Sequence, residues 1–228
     1  MKITYGGHAC LLVEHGPVSM IIDPFLTGNP AAGLDPAKIK VNAVVLTHGH
    51  NDHFGDALFI AKNNDCPVIA IAELAHYCSS RGIKAHGMNL GGAYDFESFR
   101  VKLTPAWHSS SYTDENGIVH YTGEPAGVIL TVGGKTLYHS GDTALFSDMK
   151  LIGEQHRIDV AALPIGDNFT MGPDDAAIAA EWLKAGLVIP VHYNTFPVIR
   201  QDPAGFRNQL EAKGIRCAPL SPGEQIDV

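Results

Sequence analysis

The sequence predicts an α/β protein built as a four-layer αββα sandwich, with two β-sheets packed face to face between outer helices. The apolar pattern falls into two similar halves, each with several strand-like runs followed by alternating helix and strand. The chain has 228 residues, of which 45% are hydrophobic and 18% charged. That length suits one domain with a large core and is short for two, so we expect a single domain over residues 1–228.

The elements of the first half are predicted from short apolar runs and the residues that bound them. Residues 42–46 (N-A-V-V-L) form a continuous run of apolar and β-branched residues, which is typical of a buried strand. Gly82 is expected to end a helix as its C-cap glycine. The predicted strands are 3–5, 10–14, 19–22, 42–46 and 68–71, and the predicted helices are about 56–62 and 73–80.

The second half repeats this plan. Gly133-Gly134 predicts a hairpin turn, and Pro173 stands where a helix-initiating proline belongs. Asp202 and Gly214 are expected to cap and end a last helix. The predicted strands are 99–104, 127–132, 136–138, 159–164 and 187–191, and the predicted helices are 145–156, 173–184 and 203–213. In a sandwich of this kind, polar strand ends from both halves meet at one edge.

Composition and charge narrow the function classes. The net charge is -8 and Lys and Arg form no cluster, which is a poor pattern for binding nucleic acid. We see neither a signal-peptide pattern nor an apolar run near the ~20 residues that cross a bilayer. The four cysteines lack C-x-x-C spacing, which predicts buried free thiols and a cytoplasmic location. We therefore expect a small-molecule substrate, with no nucleic acid or membrane partner, and leave a homo-oligomer open. The cysteines are Cys10, Cys66, Cys78 and Cys217.

The densest group of metal-ligand residue types is the segment Thr47-His48-Gly49-His50-Asn51-Asp52-His53, directly after the predicted strand 42–46. Alternate residues of an extended segment point the same way, so His48 and His50 can bind one ion together. The turn into a helix that follows lets Asp52 and His53 face a second ion. Imidazole nitrogen with carboxylate oxygen suits zinc, and also manganese, iron or nickel.

Further ligand candidates follow other apolar runs, one per predicted strand end. His108 follows V-K-L-T-P-A-W, Asp142 lies in Y-H-S-G-D-T, and His192 follows L-V-I-P-V. A single histidine at a strand end is more often a hydrogen-bonded structural residue. The three together, after the H-x-H-x-D-H run, are a much stronger indication of a metal centre.

This order of motifs resembles the signature of the metallo-β-lactamase superfamily, and the resemblance covers essentially the whole chain. It implies the αββα fold of that superfamily and two divalent metal ions per chain. Zinc is the expected metal, with manganese, nickel or iron as alternatives. The resemblance implies that His48, His50 and His108 bind the first ion, that Asp52, His53 and His192 bind the second, and that Asp142 bridges them.

Four further sequence motifs resemble those of the metal-dependent hydrolases of undefined substrate, a group similar to the ascorbate-phosphate lactonase branch of the superfamily. These features are G-G-H-A near the start, T-H-G-H-N-D-H-F-G-D, L-P-I-G-D-N-F-T-M-G-P and P-V-H-Y-N-T. Asp23, in I-I-D-P, matches the early strand-end aspartate that buttresses the site. Asp142 stands where true β-lactamases carry a cysteine, which argues against penicillin hydrolysis.

The predicted chemistry is hydrolysis by a hydroxide that bridges two metal ions, which also polarise the oxygen under attack. Asp52 is expected to bind its metal and orient that hydroxide. The substrate is expected to be a small ester, lactone or phosphodiester. The chain has no G-x-S-x-G motif and no Walker-type phosphate loop.

His8, in the G-G-H-A turn, is the second candidate catalytic residue. It could act as a general acid, a donor to the substrate oxyanion or a partner of a metal ligand, and the alternative is a structural turn histidine. Asn168, Thr170 and Met171 could line the pocket or form a plain loop before a helix. Trp107 is expected to pack under the metal site. His139 and His76 are expected to be structural.

Two other functions stay open at this point. A nuclease of the same fold is disfavoured by the charge of -8 and the short chain. A non-hydrolytic metal-binding or redox protein, such as a di-iron partner of a flavoprotein, is disfavoured because the chain lacks a flavin module.

Overall fold

Two mixed β-sheets carry the metal-ligand candidates at one edge, as a computed structural model of residues 1–228 shows. The first sheet has seven strands in the order β15-β1-β2-β3-β4-β5-β6. Strands β1 to β3 run antiparallel, and β3 to β6 run parallel. Its strands are β1 (Lys2–Gly7), β2 (Cys10–His15), β3 (Val18–Ile22), β4 (Ala43–Val45), β5 (Val68–Ile71), β6 (Ala85–Met88) and β15 (Gln225–Asp227).

The second sheet comes from the second half of the chain, as the sequence predicts. Its order is β14-β13-β12-β11-β8-β7, and β12, β13 and β14 are parallel. A separate two-stranded hairpin, β9–β10, lies between the halves. The strands are β7 (Ala93–Phe96), β8 (Phe99–Pro105), β9 (Ser111–Thr113), β10 (Val119–Tyr121), β11 (Ala126–Val132), β12 (Lys135–His139), β13 (Val160–Pro164) and β14 (Val188–Val191).

The hydrophobic core lies in two layers. One layer joins the facing surfaces of the sheets, with Leu11 and Val44 from the first sheet and Leu103 and Leu130 from the second. The other layer packs helices against the outer face of the second sheet. The helices are α1 (Asn51–Phe54), α2 (Ala57–Asn64), α3 (Ala72–Ser80), α4 (Met149–Gln155), α5 (Pro173–Leu183) and α6 (Pro203–Glu211). This layering is the predicted αββα architecture.

Most element predictions are confirmed, and one helix boundary is wrong. The helix predicted from 145 begins at Met149, because Ala144 N donates to Trp107 O and ties this stretch to the loop after β8. Pro173 opens α5, and the Asp202 side chain caps α6. The short strands β6, β7, β9, β10 and β15 were not predicted, because their residues are few and mostly half-buried or exposed.

The state of the cysteines agrees with one further prediction. Cys10, Cys66, Cys78 and Cys217 are all buried and free. Burial raises the pKa of Cys66 to about 11 and that of Cys78 to about 12, so neither thiol supplies a thiolate nucleophile near neutral pH. None of the helices is both long enough and apolar enough to cross a membrane.

Candidate metal centre

The predicted ligands meet at the strand ends that we call the ligand edge, formed by the loops after β4, β8, β12 and β14. The loop after β4 supplies the H-x-H-x-D-H run, in which α1 carries Asp52 and His53. Gly49 lets this run approach the end of the hairpin, because a Cβ there would overlap the Thr122 side chain. Asn51 fixes the run to the hairpin, since its amide group exchanges hydrogen bonds with the backbone of Thr113 (2.8 and 3.1 Å).

Three overlapping groups of possible ligand atoms form at this edge, and within each group the atoms lie within 4.8 Å of one another. The first two groups correspond to the two predicted ligand sets, with His8 added to the second. The third group connects them. The groups are His48, His50 and His108; His8, Asp52, His53 and His192; and His48, His53 and Asp142.

Asp142 lies at the centre of the cluster and is buried. Its Oδ2 is 3.1 Å from His192 Nε2 and 3.2 Å from His53 Nε2, which belong to the second predicted set. The same oxygen is 3.6 Å from His108 Nε2 and 4.0 Å from His48 Nε2, which belong to the first set. One carboxylate oxygen thus lies next to imidazoles from both sets.

Asp23 and Thr47 contact the Nδ1 atoms of two candidate ligand histidines, His53 and His48. Asp23 is buried and accepts hydrogen bonds from His53 Nδ1 (2.8 Å), Thr47 Oγ1 (2.6 Å) and Thr47 N (2.8 Å). Thr47 Oγ1 lies 3.0 Å from His48 Nδ1, which can donate to it. Both imidazoles are therefore oriented through Nδ1, leaving Nε2 for the centre. This geometry gives Asp23 the buttressing position that the resemblance implies, and sequence reasoning missed Thr47.

His8 lies behind Asp52 and is 0% exposed. Its Nε2 is 3.1 Å from Asp52 Oδ2 and its Nδ1 is 2.9 Å from Thr195 Oγ1. A neutral ring satisfies both contacts when Nε2–H donates to Asp52 and Nδ1 accepts from Thr195. Because both nitrogens are engaged away from solvent, the geometry favours the partner of a metal ligand among the roles considered for His8. Thr195 was not anticipated, since it lies 187 residues away in the chain.

Burial sets the protonation of the histidines of the first ligand set. It lowers the pKa of His48 well below its ordinary value and also lowers the pKa of His50 and His108. Burial likewise lowers the pKa of His8 to about 4. These rings are therefore neutral at pH 7, and a neutral imidazole is the form that binds a cation.

The carboxylates produce the opposite effect at His53. Burial acts to lower the pKa of His53, but the negative charges of Asp142 and Asp23 outweigh it and raise the pKa well above its ordinary value. Burial acts to raise the pKa of Asp52, but the hydrogen bond from His8 and the nearby His53 lower it overall. The centre thus holds ionised carboxylates, which attract a cation.

Unpaired buried atoms indicate that the cluster fits a cation. His53 Nε2, Asp142 Oδ1 and His192 Nδ1 are buried without a hydrogen-bond partner, which is costly for a polar atom. A divalent ion held by these residues would reduce that cost. The imidazole and carboxylate donors are those of zinc, manganese, iron and nickel sites, so the residues present fit the metals that the sequence predicts.

A cavity of about 370 Å³ opens over the cluster. Besides ligand candidates, it is lined by Ser109 and Phe169, neither of which was singled out from the sequence. Of the loop residues expected there, Asn168 and Thr170 do not line the cavity, and Met171 is buried in the core because its N–H donates to Thr143 O. The cavity is therefore lined by candidate ligand side chains, one hydroxyl group and one aromatic ring.

Trp107 and His139 test two smaller predictions. Trp107 does not pack under the centre: its side chain is 68% exposed, because the loop after β8 turns it outward while its backbone bonds the Asp142 loop. His139 is structural, as predicted, since its Nε2 contacts Ala9 O (2.8 Å) and its Nδ1 accepts from Gly141 N (3.1 Å). It joins the loop of His8 to the loop of Asp142.

Comparison with known proteins agrees with this geometry. The family model described as β-lactamase superfamily domain matches residues 19–193. Proteins of Anoxybacillus flavithermus and Bacillus velezensis, both named UPF0173 metal-dependent hydrolase, are 55% identical over 228 residues and 59% identical over 229 residues, and each comparison covers 100% of both chains. The solved structure of Igni18, a metallo hydrolase of the archaeon Ignicoccus hospitalis, has a TM-score of 0.90 and 37% identity, covering 99% of this chain and 97% of that one.

Proposed function

The chain belongs to the β-lactamase superfamily, and we propose that it is a hydrolase that uses two divalent metal ions on a small ester, lactone or phosphodiester. The observation that carries the proposal is the position of Asp142 Oδ2, within 4.0 Å of Nε2 atoms from both predicted ligand sets. A carboxylate shared in this way suits a pair of cations better than a single one. Zinc is the metal we expect first.

The residues divide the ligand roles as the resemblance implies. His48, His50 and His108 would hold one ion, Asp52, His53 and His192 the other, and Asp142 would bridge them. When bound, the ions would supply hydroxide at neutral pH from a shared water and would polarise the oxygen of the group under attack.

The protein side chains around the ions control orientation and access. Asp52 would orient the attacking water, and His8 would keep the Asp52 carboxylate in place through the 3.1 Å contact. Ser109 lies at the cavity wall, where its hydroxyl reaches His50 Nε2 at 3.3 Å. Ser109 carries the one hydroxyl of the cavity lining. The imidazole beside it, His50, would bind a metal ion in this proposal and so would not serve as the base that activates a serine nucleophile.

A metal-reconstitution screen tests the proposed function. Metal-free protein is loaded separately with Zn²⁺, Mn²⁺ or Ni²⁺ and assayed on model esters, lactones and phosphodiesters. We expect hydrolysis that is absent in chelator, returns on loading, and is lost when Asp142 is replaced by Asn. Hydrolysis that survives both the chelator and the Asp142→Asn substitution would contradict metal-dependent catalysis at this centre.

A further inference from the structure

The cavity over the ligand edge is lined by no Lys or Arg. Of the 16 basic residues of the chain, Arg200 is the one that lies in a loop with a ligand candidate, and it stands eight residues after His192. Carboxylates on the surrounding loops include Asp114, Glu115, Glu124 and Asp167. Glu115 lies 3.6 Å from Arg81 and Asp114 lies 2.8 Å from His120, whereas Asp167 is exposed and has no basic partner.

The residues that line the cavity in addition to the ligand candidates are also uncharged. Apart from ligand candidates, its lining consists of Ser109 and Phe169. An anionic group on a substrate, away from the bond being cleaved and from the two ions, would therefore leave water without gaining a basic side chain as its partner. The ions offset the charges of Asp52 and Asp142, but the exposed Asp167 lies two residues from Phe169 of the cavity lining, and like charges at an interface are unfavourable.

One aromatic side chain lies at the cavity. Phe169 lines it and is 53% exposed, held outward by a turn in which Asp167 and Asn168 both adopt positive φ values. Trp107 is exposed on a neighbouring loop. Both loops bond the same segment, since Trp107 N donates to Thr143 Oγ1 (2.9 Å) and Met171 N donates to Thr143 O (2.9 Å). An exposed aromatic ring in a cavity lining favours an apolar ligand surface, and Phe169 is the residue that supplies it.

From these observations, and resting on the proposed hydrolase function, we propose that the substrate is an uncharged carboxylic ester or lactone whose remaining part is apolar or aromatic. Water adds across the acyl carbon–oxygen bond and yields a carboxylic acid and an alcohol. The apolar part lies against Phe169 at the mouth. Substrates with an anionic group remote from the cleaved bond are disfavoured, because the cavity lining offers that group no basic side chain.

A matched pair of substrates tests the proposal in the Zn²⁺-loaded protein. The parent is 4-nitrophenyl phenylacetate, and the pair carries either a carboxamide or a carboxylate at the ring position opposite the acetyl arm. The two groups have similar size and shape and differ in charge at pH 7.5. We expect kcat/KM to be at least about tenfold lower for the carboxylate, and the ratio to shrink as salt rises.

Variants at Phe169 test whether the preference for the uncharged substrate arises at the mouth of the cavity. Phe169→Lys adds a cation at the mouth and is expected to raise the carboxylate-to-carboxamide ratio of kcat/KM several-fold. Phe169→Leu is the matched control, which removes the ring without adding charge and is expected to leave that ratio unchanged.

The possible outcomes distinguish failure of this substrate proposal from failure of the proposed hydrolase function. Equal or higher kcat/KM for the carboxylate, or faster cleavage of bis(4-nitrophenyl) phosphate than of the parent ester, would overturn the uncharged substrate class while leaving a metal-dependent hydrolase. Failure to cleave even the parent ester with metal bound would overturn the carboxylic-ester activity itself, before charge is varied.

Discussion

Replacing Asp23 by Asn tests whether the residues behind the centre set its metal affinity. Asp23 Oδ2 accepts from both Thr47 Oγ1 (2.6 Å) and His53 Nδ1 (2.8 Å), and Oδ1 accepts from Thr47 N (2.8 Å). Asparagine can keep the bond to Thr47 N but places an NH₂ group where Oδ2 was. A donor would then face the His53 Nδ1–H. Asn also tolerates the positive φ of 47° at this position, so the backbone should be retained.

The magnitude follows from what His53 must do to relieve that clash. The ring can move its proton to Nε2, but Nε2 is the atom that faces Asp142 at 3.2 Å and would bind metal. Loss of such an orienting partner typically lowers metal affinity by about 10–100-fold. That corresponds to about 1.4–2.7 kcal/mol of binding free energy. The ion held by Asp52, His53 and His192 should be the one affected.

Competition with a colorimetric chelator measures the two dissociation constants in the parent protein and the variant. Asp56→Asn is the matched control, because the Asp56 carboxylate accepts only from Leu26 N (3.1 Å) and Thr27 N (2.7 Å) and contacts no ligand histidine. We expect one of the two metal dissociation constants to rise in Asp23→Asn and neither to change in Asp56→Asn. Two unchanged constants in a folded Asp23→Asn protein would refute the idea that this carboxylate orients His53.

Three further predictions concern the centre itself. Asp142→Asn should lose at least one metal equivalent and nearly all activity while circular dichroism stays native, and normal turnover with both metals retained would rule out a bridging role. His8→Ala should weaken the metal set containing Asp52 by about 10–100-fold in chelator titrations. A fall in kcat of about 10²–10⁴-fold with unchanged metal affinity would instead identify His8 as a general acid. In chelator, acidification from pH 7 to 5 should lower the urea midpoint, because the unfolded chain protonates His8 near pH 6.5 whereas the folded chain resists until about pH 4. For His8 this costs on the order of 2 kcal/mol. The lowered pKa values of His48, His50, His108 and His139 act in the same direction, and the raised pKa of His53 opposes them. A midpoint that rises on acidification would contradict the burial of neutral histidines at this centre.

The fold could be predicted from the sequence because its strongest signals are local. The buried run before His48, Pro173 at the start of α5 and the Asp202 cap each act within a few residues. The ligand candidates were recognisable for a related reason, since each follows an apolar run and strand ends gather at one edge. The structure brings all of them together there.

The features that the sequence did not reveal depend on distant contacts. The hydrogen bond between His8 and Thr195 joins residues that are 187 positions apart in the chain, so no local sequence pattern predicts it. Trp107 is a large apolar residue of the kind that is often buried. The hydrogen bond from its backbone N–H to Thr143 holds its loop beside the Asp142 loop, and the ring is left exposed. The helix expected from 145 begins later for the same reason, because Ala144 bonds across to Trp107. In each case a tertiary contact overrides the local preference.

Metal titration of the chelator-treated protein tests the central claim most directly. Zn²⁺ is added stepwise, excess ion is removed by gel filtration, and bound metal is counted by elemental analysis alongside hydrolysis of the parent ester. Two predicted ligand sets that share Asp142 call for about two equivalents per chain, with activity rising as the second equivalent binds. Saturation at a single tightly bound equivalent with full activity would contradict the dinuclear centre.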